Sequence, residues 1–165
     1  MGQNTKLLLA FDQPLSALAP GTGSITFEPP HVTIWDSSLA QERPGGLATV
    51  YTAGKLFDAD SAHGDAPPAA VDQALALLES KAPGSRDAFT GRAWLDSWPD
   101  DPWSHGSYAT WGPGDVSRFW GFVGLPEGRV HFAGEHTSTI SQGYLNGAVE
   151  SGERAAREVL DALRR

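Results

Sequence analysis

Between Arg129 and Leu160 the chain reads RVHFAGEHTSTISQGYLNGAVESGERAAREVL, and here its residue types are best suited to chemistry. A short apolar run predicts a strand over Arg129–Gly134. It breaks at Ala133-Gly134-Glu135, crosses a row of small polar residues, and leads into a helix predicted over Gln142–Leu163. Gly143 and Gly147 fall in the first turns of that helix. Glycine in a helix interior costs about 0.5–1 kcal/mol relative to alanine, so the pair implies that something comes close to the backbone. Gly143, Gly147, Ser151 and Ala155 form one stripe of minimal side chains. Leu145, Val149, Ala156, Leu160 and Leu163 form an apolar stripe beside it. Glu150, Glu153, Arg154, Arg157, Asp161 and Arg164 fall mostly on the remaining face. A helix start presents unpaired N–H groups and partial positive charge, which suit a polarised carbonyl or an anionic ring. The same spacing also suits a helix packed tightly on a sheet through glycine contacts.

Composition narrows the classes. With 165 residues, 40% of them hydrophobic, the chain can bury a core as one domain or as parts of two. A net charge of -8 argues against a nucleic-acid surface, which requires clustered positive charge. Because there is no cysteine, disulfides, thiolate metal sites, a cysteine nucleophile and a cysteinyl cofactor link are all excluded. His31, His63, His105, His131 and His136 show no metal-ligand spacing. No apolar run approaches the ~18 residues of a membrane span, and neither a membrane partner nor a signal peptide is expected. The opening MGQNTKLLLAFD enters a strand at once, as expected of a chain cut from something longer.

Several elements must position the terminal segment. Strands are predicted at Lys6–Phe11, Ile25–Glu28, Val32–Asp36, Leu47–Ala53 and Arg92–Trp98. Pro67-Pro68 pre-sets a helix start, and Val71, Ala74, Leu75 and Leu78 at helical spacing predict an amphipathic helix over Pro68–Ala82. The stretch from Trp98 to Gly124 holds four Trp and three Pro. So aromatic a segment is expected to pack against a partner or ligand. The fold class is therefore α+β: a four- or five-strand sheet with one helix, and a terminal strand and helix in a different layer.

The terminal segment resembles the C-terminal FAD-binding signature of the flavin-containing amine oxidases, the group holding monoamine, polyamine and L-amino-acid oxidases. The resemblance extends upstream in order, through Trp98 ahead of Gly106-Ser107-Tyr108 and through Lys6 in MGQNTK. It implies that residues 1–97 are part of a mixed-sheet substrate domain, 98–128 an aromatic active-site segment, and 129–165 the last strand and helix of a glutathione-reductase-like FAD domain. It implies FAD as cofactor, with Gly134 and Glu135 near its ribityl–phosphate portion, Gly143 and the backbone N–H near Leu145 facing the flavin, and Trp98 lining the flavin. Tyr108 and Tyr144 match the paired aromatic walls that hold a substrate amine, Tyr144 also bordering the cofactor. Lys6 matches the lysine that holds a water beside the flavin and assists reoxidation by oxygen.

The match also has gaps. Ser107 stands where covalently flavinylated members have cysteine, so FAD is expected to be held non-covalently. The G-x-G-x-x-G unit with which the family opens, and the acidic residue about 20 positions later, have no counterpart here. The resemblance thus implies the last third of an oxidase, partnered by an N-terminal FAD-binding portion or subunit, with an amine or amino acid as substrate and oxygen as acceptor. A homodimer of the full enzyme is compatible with it. Oxidative deamination is the implied reaction, by hydride transfer to flavin N5 with release of an imine and hydrogen peroxide, and the chain alone is expected to be inactive. Alternatives are a non-catalytic interaction module with the substrate-domain fold, or an FAD enzyme of other specificity. The compartment is left open, cytoplasmic by default.

Overall fold

Leu7, Leu9 and Phe11 alternate with Lys6, Leu8 and Ala10 along one strand, and the first set is fully buried while the second is half-buried. This two-residue period places one face of a sheet against a core. The computed structural model describes residues 1–21, 23–42, 44–54, 56–57 and 62–164, which fall into two compact units: Gln3–Ser107, and Met1–Gly2 with Tyr108–Arg165.

The unit Gln3–Ser107 holds β1 (Asn4–Phe11), α1 (Leu15–Leu18), β2 (Ser24–Phe27), β3 (Val32–Asp36), β4 (Gly46–Ala53), β5 (His63–Asp65), α2 (Pro68–Glu79), α3 (Ser85–Ala88) and β6 (Phe89–Ser97). The six strands form one sheet in the order β2-β3-β4-β1-β6-β5, each neighbouring pair antiparallel. The expected mixed sheet of four or five strands is thus antiparallel and one strand wider. The added strand, β5, is His-Gly-Asp, with no apolar alternation to announce it. It is held by pairing to Asp96, Leu95 and Trp94, with His63 Nδ1 2.8 Å from Asp96 Oδ1.

On the core side, Leu7, Leu9, Val32, Ile34, Val50 and Leu95 pack with Ala74, Leu75 and Leu78 of α2. Each large aliphatic side chain so buried contributes about 1.5–3 kcal/mol. Phe11 and Phe89 meet edge-on at 6.0 Å. The helix begins at Pro68 as expected but stops at Glu79, short of Ala82. Ser80 turns its hydroxyl onto the Leu77 carbonyl, and Glu79 accepts the N–H groups of Gly84 and Arg86 at 2.9 and 3.0 Å. Those bonds favour the ionised form and hold the Glu79 carboxyl below its ordinary range.

The second unit holds α4 (Asp115–Phe119), a 3-10 turn at Glu135–Thr137 and α5 (Leu145–Leu163). The strand expected over Arg129–Gly134 is not formed. Among the described residues the segment makes one isolated bridge, Glu127 to Val130, and then runs on without a ladder. A strand exists only by pairing its N–H and C=O groups, and apolar sequence cannot supply the neighbour. The last helix also starts three residues later than expected. Gly143 takes φ +83°, outside the helical region, and Tyr144 is extended at φ -119°, ψ 154°.

Candidate functional site

Only Gly147 of the two glycines lies inside α5, and the protein's own chain fills the room it leaves. A Cβ at Gly147 would stand 2.2 Å from the Ser141 carbonyl oxygen and 3.1 Å from Ser138 Cβ. Further along the same stripe, the buried Ser151 hydroxyl receives the Gly134 N–H at 3.0 Å and lies 2.9 Å from the Gly134 carbonyl. The small-residue stripe is therefore a packing surface for residues 134–141. At these positions the reading of a tightly packed helix holds over that of a ligand seat.

The start of α5 is different. No side chain caps it, and Tyr144 and Leu145 are 73% and 88% exposed there. Its first-turn N–H groups carry the partial positive charge of the helix end. Just before it, Gly143 uses its left-handed conformation to turn the chain beside Tyr108, whose Cδ2 lies 4.0 Å from where a Gly143 Cβ would be. Tyr108 is 43% exposed.

One carboxylate joins these two places. Glu135 Oε1 accepts the Ala109 N–H at 2.7 Å, and Oε2 accepts the Gly143 N–H at 2.6 Å. The peptide linking Tyr108 to Ala109 is held from its other side as well, since the Tyr108 carbonyl accepts the Gly2 N–H at 2.7 Å. A second tie runs alongside: Trp111 Nε1 donates to Gln142 Oε1, and Gln142 Nε2 donates to the His136 carbonyl at 3.2 Å. Trp111 in turn stacks on Phe119 and meets Trp120 edge-on, each at 6.4 Å.

Six of the eight residues singled out by sequence thus gather in this unit: Tyr108, Gly134, Glu135, Gly143, Tyr144 and Leu145. The other two meet in the sheet unit, where Lys6 Nζ lies 5.3 Å from the Trp98 ring centroid. A cation over an indole face at that distance is attracted by the ring quadrupole. Within the sheet unit, Ser107 donates its hydroxyl to Asn4 Oδ1, which ties Gly106-Ser107 to the first strand.

Sequence reasoning missed the brace made by Glu135 and the reach of Arg154. Arg154 leaves the solvent face to donate to the carbonyls of Gly124 and Phe132 at 2.8 and 2.9 Å and to Thr137 Oγ1 at 3.1 Å, while pairing with Glu158 at 2.8 Å. Glu158 also accepts from His131 Nδ1 at 3.0 Å. The bonds from His131 and then Arg154 hold its carboxyl below the ordinary range. Both named partners of Glu135 and two of the four acceptors of Arg154 are backbone groups, so residue spacing carries no trace of them.

Comparison with known proteins identifies the family. Residues 1–160 match the model of the flavin containing amine oxidoreductase family, and the chain belongs to that family. It is 42% identical over 91 residues to amine oxidase [flavin-containing] B of Cavia porcellus, covering 54% of this chain and 18% of the relative. Against amine oxidase [flavin-containing] A of Equus caballus it is 41% identical over 88 residues, covering 52% of this chain and 17% of the relative. The chain therefore spans less than a fifth of these curated relatives. Its fold matches cyclohexylamine oxidase from Brevibacterium oxydans IH-35A with a TM-score of 0.79 at 21% identity, over 100% of this chain and 36% of that one. A putrescine oxidase redesigned in cofactor binding matches equally, TM-score 0.79 at 18% identity, over 98% of this chain and 36% of that one.

Membership implies the flavin cofactor FAD. The residues present fit such a group: an uncapped helix start offers N–H groups to an electron-rich ring edge, and exposed Tyr144 and Leu145 offer apolar contact beside it.

Proposed function

We propose that this chain supplies the C-terminal portion of an FAD-dependent amine or L-amino-acid oxidase and carries the aromatic walls of its substrate site. The observation behind this reading is the single carboxylate, Glu135, that binds the backbone beside both Tyr108 and Tyr144 in a chain matching the family over residues 1–160. We assign residues 1–97 to the substrate-binding part, 98–128 to the aromatic active-site segment and 129–165 to the end of the FAD-binding part.

FAD would be held non-covalently, because Ser107 stands in the Gly-Ser-Tyr triplet and the chain has no cysteine. The N–H groups near Leu145, the turn at Gly143 and the backbone at Gly134 and Glu135 would hold it, with Trp98 lining it. When bound, FAD would supply the acceptor for a hydride from the amine-bearing carbon and the route for both electrons to oxygen, with hydrogen peroxide as the product. The remaining work falls to the protein. The faces of Tyr108 and Tyr144 attract an ammonium and, once it has given a proton to solvent, orient the neutral amine with its C–H toward the acceptor. As that C–H bond breaks and the nitrogen proton passes to solvent, a C=N bond forms. Water then adds to this imine and the C–N bond breaks, leaving a carbonyl compound and ammonia or an amine. Lys6, on its strand beside Trp98, holds a water for the oxygen step.

The partner in this reading is an N-terminal FAD-binding portion or subunit. Exposed Val130, Phe132, Tyr144, Leu145, Val149 and Leu160 support such a cover, since an apolar surface of this kind is rarely left open to water. The test is to assay the chain alone and assembled with a flavin-binding portion, against a panel of amines and amino acids read by peroxide release. Assembly is expected to give activity, and the chain alone none. A yellow, flavin-loaded chain on its own would overturn the part-enzyme reading, and no peroxide from any substrate after flavin loading would overturn the oxidase reading.

A further inference from the structure

Glutamate is a costly way to satisfy two backbone N–H groups in a half-buried place, because its charge must be compensated there. In this unit the compensation comes from two short bonds, Ala109 N–H to Oε1 at 2.7 Å and Gly143 N–H to Oε2 at 2.6 Å. The two amides lie on segments 34 residues apart in sequence, 109 and 143, with no strand ladder to register them. Each adjoins one tyrosine: Ala109 follows Tyr108, and Gly143 precedes Tyr144.

The base from which Glu135 reaches is itself pinned. Ser151 on α5 receives the Gly134 N–H, Thr137 Oγ1 donates to the Gly134 carbonyl at 2.8 Å, and the Ser138 N–H donates to the Glu135 carbonyl at 3.1 Å. A continuous path thus runs from the rigid helix through Ser151 and Gly134 to Glu135, and from its two oxygens to the N–H groups of Ala109 and Gly143, each next in sequence to one tyrosine.

We propose that Glu135 is the positioning residue that sets the separation and tilt of Tyr108 and Tyr144, holding the two aromatic faces as one rigid pair. The proposal rests on the amine-oxidase reading for what the pair holds, though not for the brace itself. Charge-assisted bonds to backbone N–H groups are about twice as strong as neutral ones, which suits a joint that must not slip. Glutamine at this position has nearly the same shape but offers one carbonyl oxygen and an NH2 group, so it can accept at one amide while facing the other with a donor.

The brace is tested on the 165-residue chain by amide hydrogen exchange at Ala109 and Gly143, together with the through-space NMR contact between the Tyr108 ring and the Gly143 α protons. Glu135→Ala is expected to speed exchange at both amides by about tenfold or more, as loss of a charge-assisted bond implies, and to weaken the Tyr108–Gly143 contact. Glu135→Gln is expected to do this at one amide only, and it serves as the test should the alanine variant fail to fold. Amides of α2, in the other unit, are expected to be unchanged. Unaltered exchange at Ala109 and Gly143 with the ring contact intact would overturn the proposal.

A second arm uses the FAD-loaded enzyme. There Glu135→Gln is expected to lower kcat per bound flavin for amine oxidation by about tenfold to a hundredfold, the scale of a displaced near-attack geometry, with the oxygen half-reaction unaffected. A variant whose amides loosen while amine oxidation keeps its wild-type kcat leaves the brace standing and overturns the reading of the tyrosines as substrate walls.

Discussion

Arg154 Nη1 and Glu158 Oε1 meet at 2.8 Å one turn apart on α5, and the same guanidinium also ties the helix to three other points of its unit. An exposed pair at this spacing contributes only about 0.3–0.5 kcal/mol. The carbonyls of Gly124 and Phe132 change that account, because among the described residues neither accepts a backbone N–H. Arg154→Ala is expected to destabilise the unit by about 2 kcal/mol, the scale for losing hydrogen bonds to a charged group. Urea unfolding followed by tryptophan fluorescence measures it. A loss below about 0.5 kcal/mol, the range of an ordinary surface substitution, would mean that water serves those carbonyls equally well.

The same cluster sets a pH dependence. Hydrogen bonds from His131 and Arg154 depress the Glu158 carboxyl in the folded state. A group with a lowered folded pKa stabilises the fold fully above its unfolded value, about 4.3 for glutamate, and loses that contribution as pH falls through the folded value. The stability gap between the native chain and Glu158→Gln is therefore expected to be level above about pH 5 and to close as the pH drops below the ordinary glutamate range. A gap that widened on acidification would reverse the sign and remove Glu158 from the ionised side of the pair.

How legible was this in the sequence? Elements governed by one periodic pattern were readable: α2 from Pro67-Pro68 and its apolar spacing, β1 and β4 from short apolar runs, α5 from its amphipathic stripe. Where a neighbour decides, the pattern failed. His63–Asp65 becomes a strand because β6 lies beside it, and Arg129–Gly134 does not because no ladder meets it. The candidate residues Tyr108, Tyr144 and Glu135 could be picked out by motif, but not the joining of the two tyrosine segments by the Glu135 carboxylate. Backbone N–H groups are present at nearly every position, so a side chain that binds them leaves no complementary letter to find.

Gly147 offers a test of whether α5 is bare for a ligand or for its own chain. With the Ser141 carbonyl 2.2 Å from the added Cβ, Gly147→Ala is expected to destabilise the protein by about 1–3 kcal/mol even with no cofactor bound. Gly152, five residues on, has nothing within 4 Å of where its Cβ would be. There alanine is expected to stabilise by about 0.5–1 kcal/mol through helix propensity. Opposite signs in thermal unfolding would assign the first glycine to packing; stabilisation by both would return it to a ligand.

Lys6 calls for an assay that separates holding the fold from serving the oxygen step. Its ammonium sits 5.3 Å from the Trp98 centroid and its strand neighbours are Tyr51 and Asp96, so its place is well defined without any cofactor. Lys6→Met keeps most of the aliphatic stem and removes the charge. Loss of a partly exposed cation–π contact is worth about 0.5–1 kcal/mol, so the unfolding midpoint is expected to move only slightly. In the FAD-loaded enzyme the same change is expected to slow reoxidation by oxygen by about tenfold or more while reduction by the amine proceeds at its former rate, because a positioned water and a nearby cation act on charge that develops only in the oxygen step. Stopped-flow measurement of the two half-reactions separates them. Equal slowing of both would place Lys6 among the residues that shape the site as a whole, and an unchanged oxygen step would leave it a structural partner of Trp98.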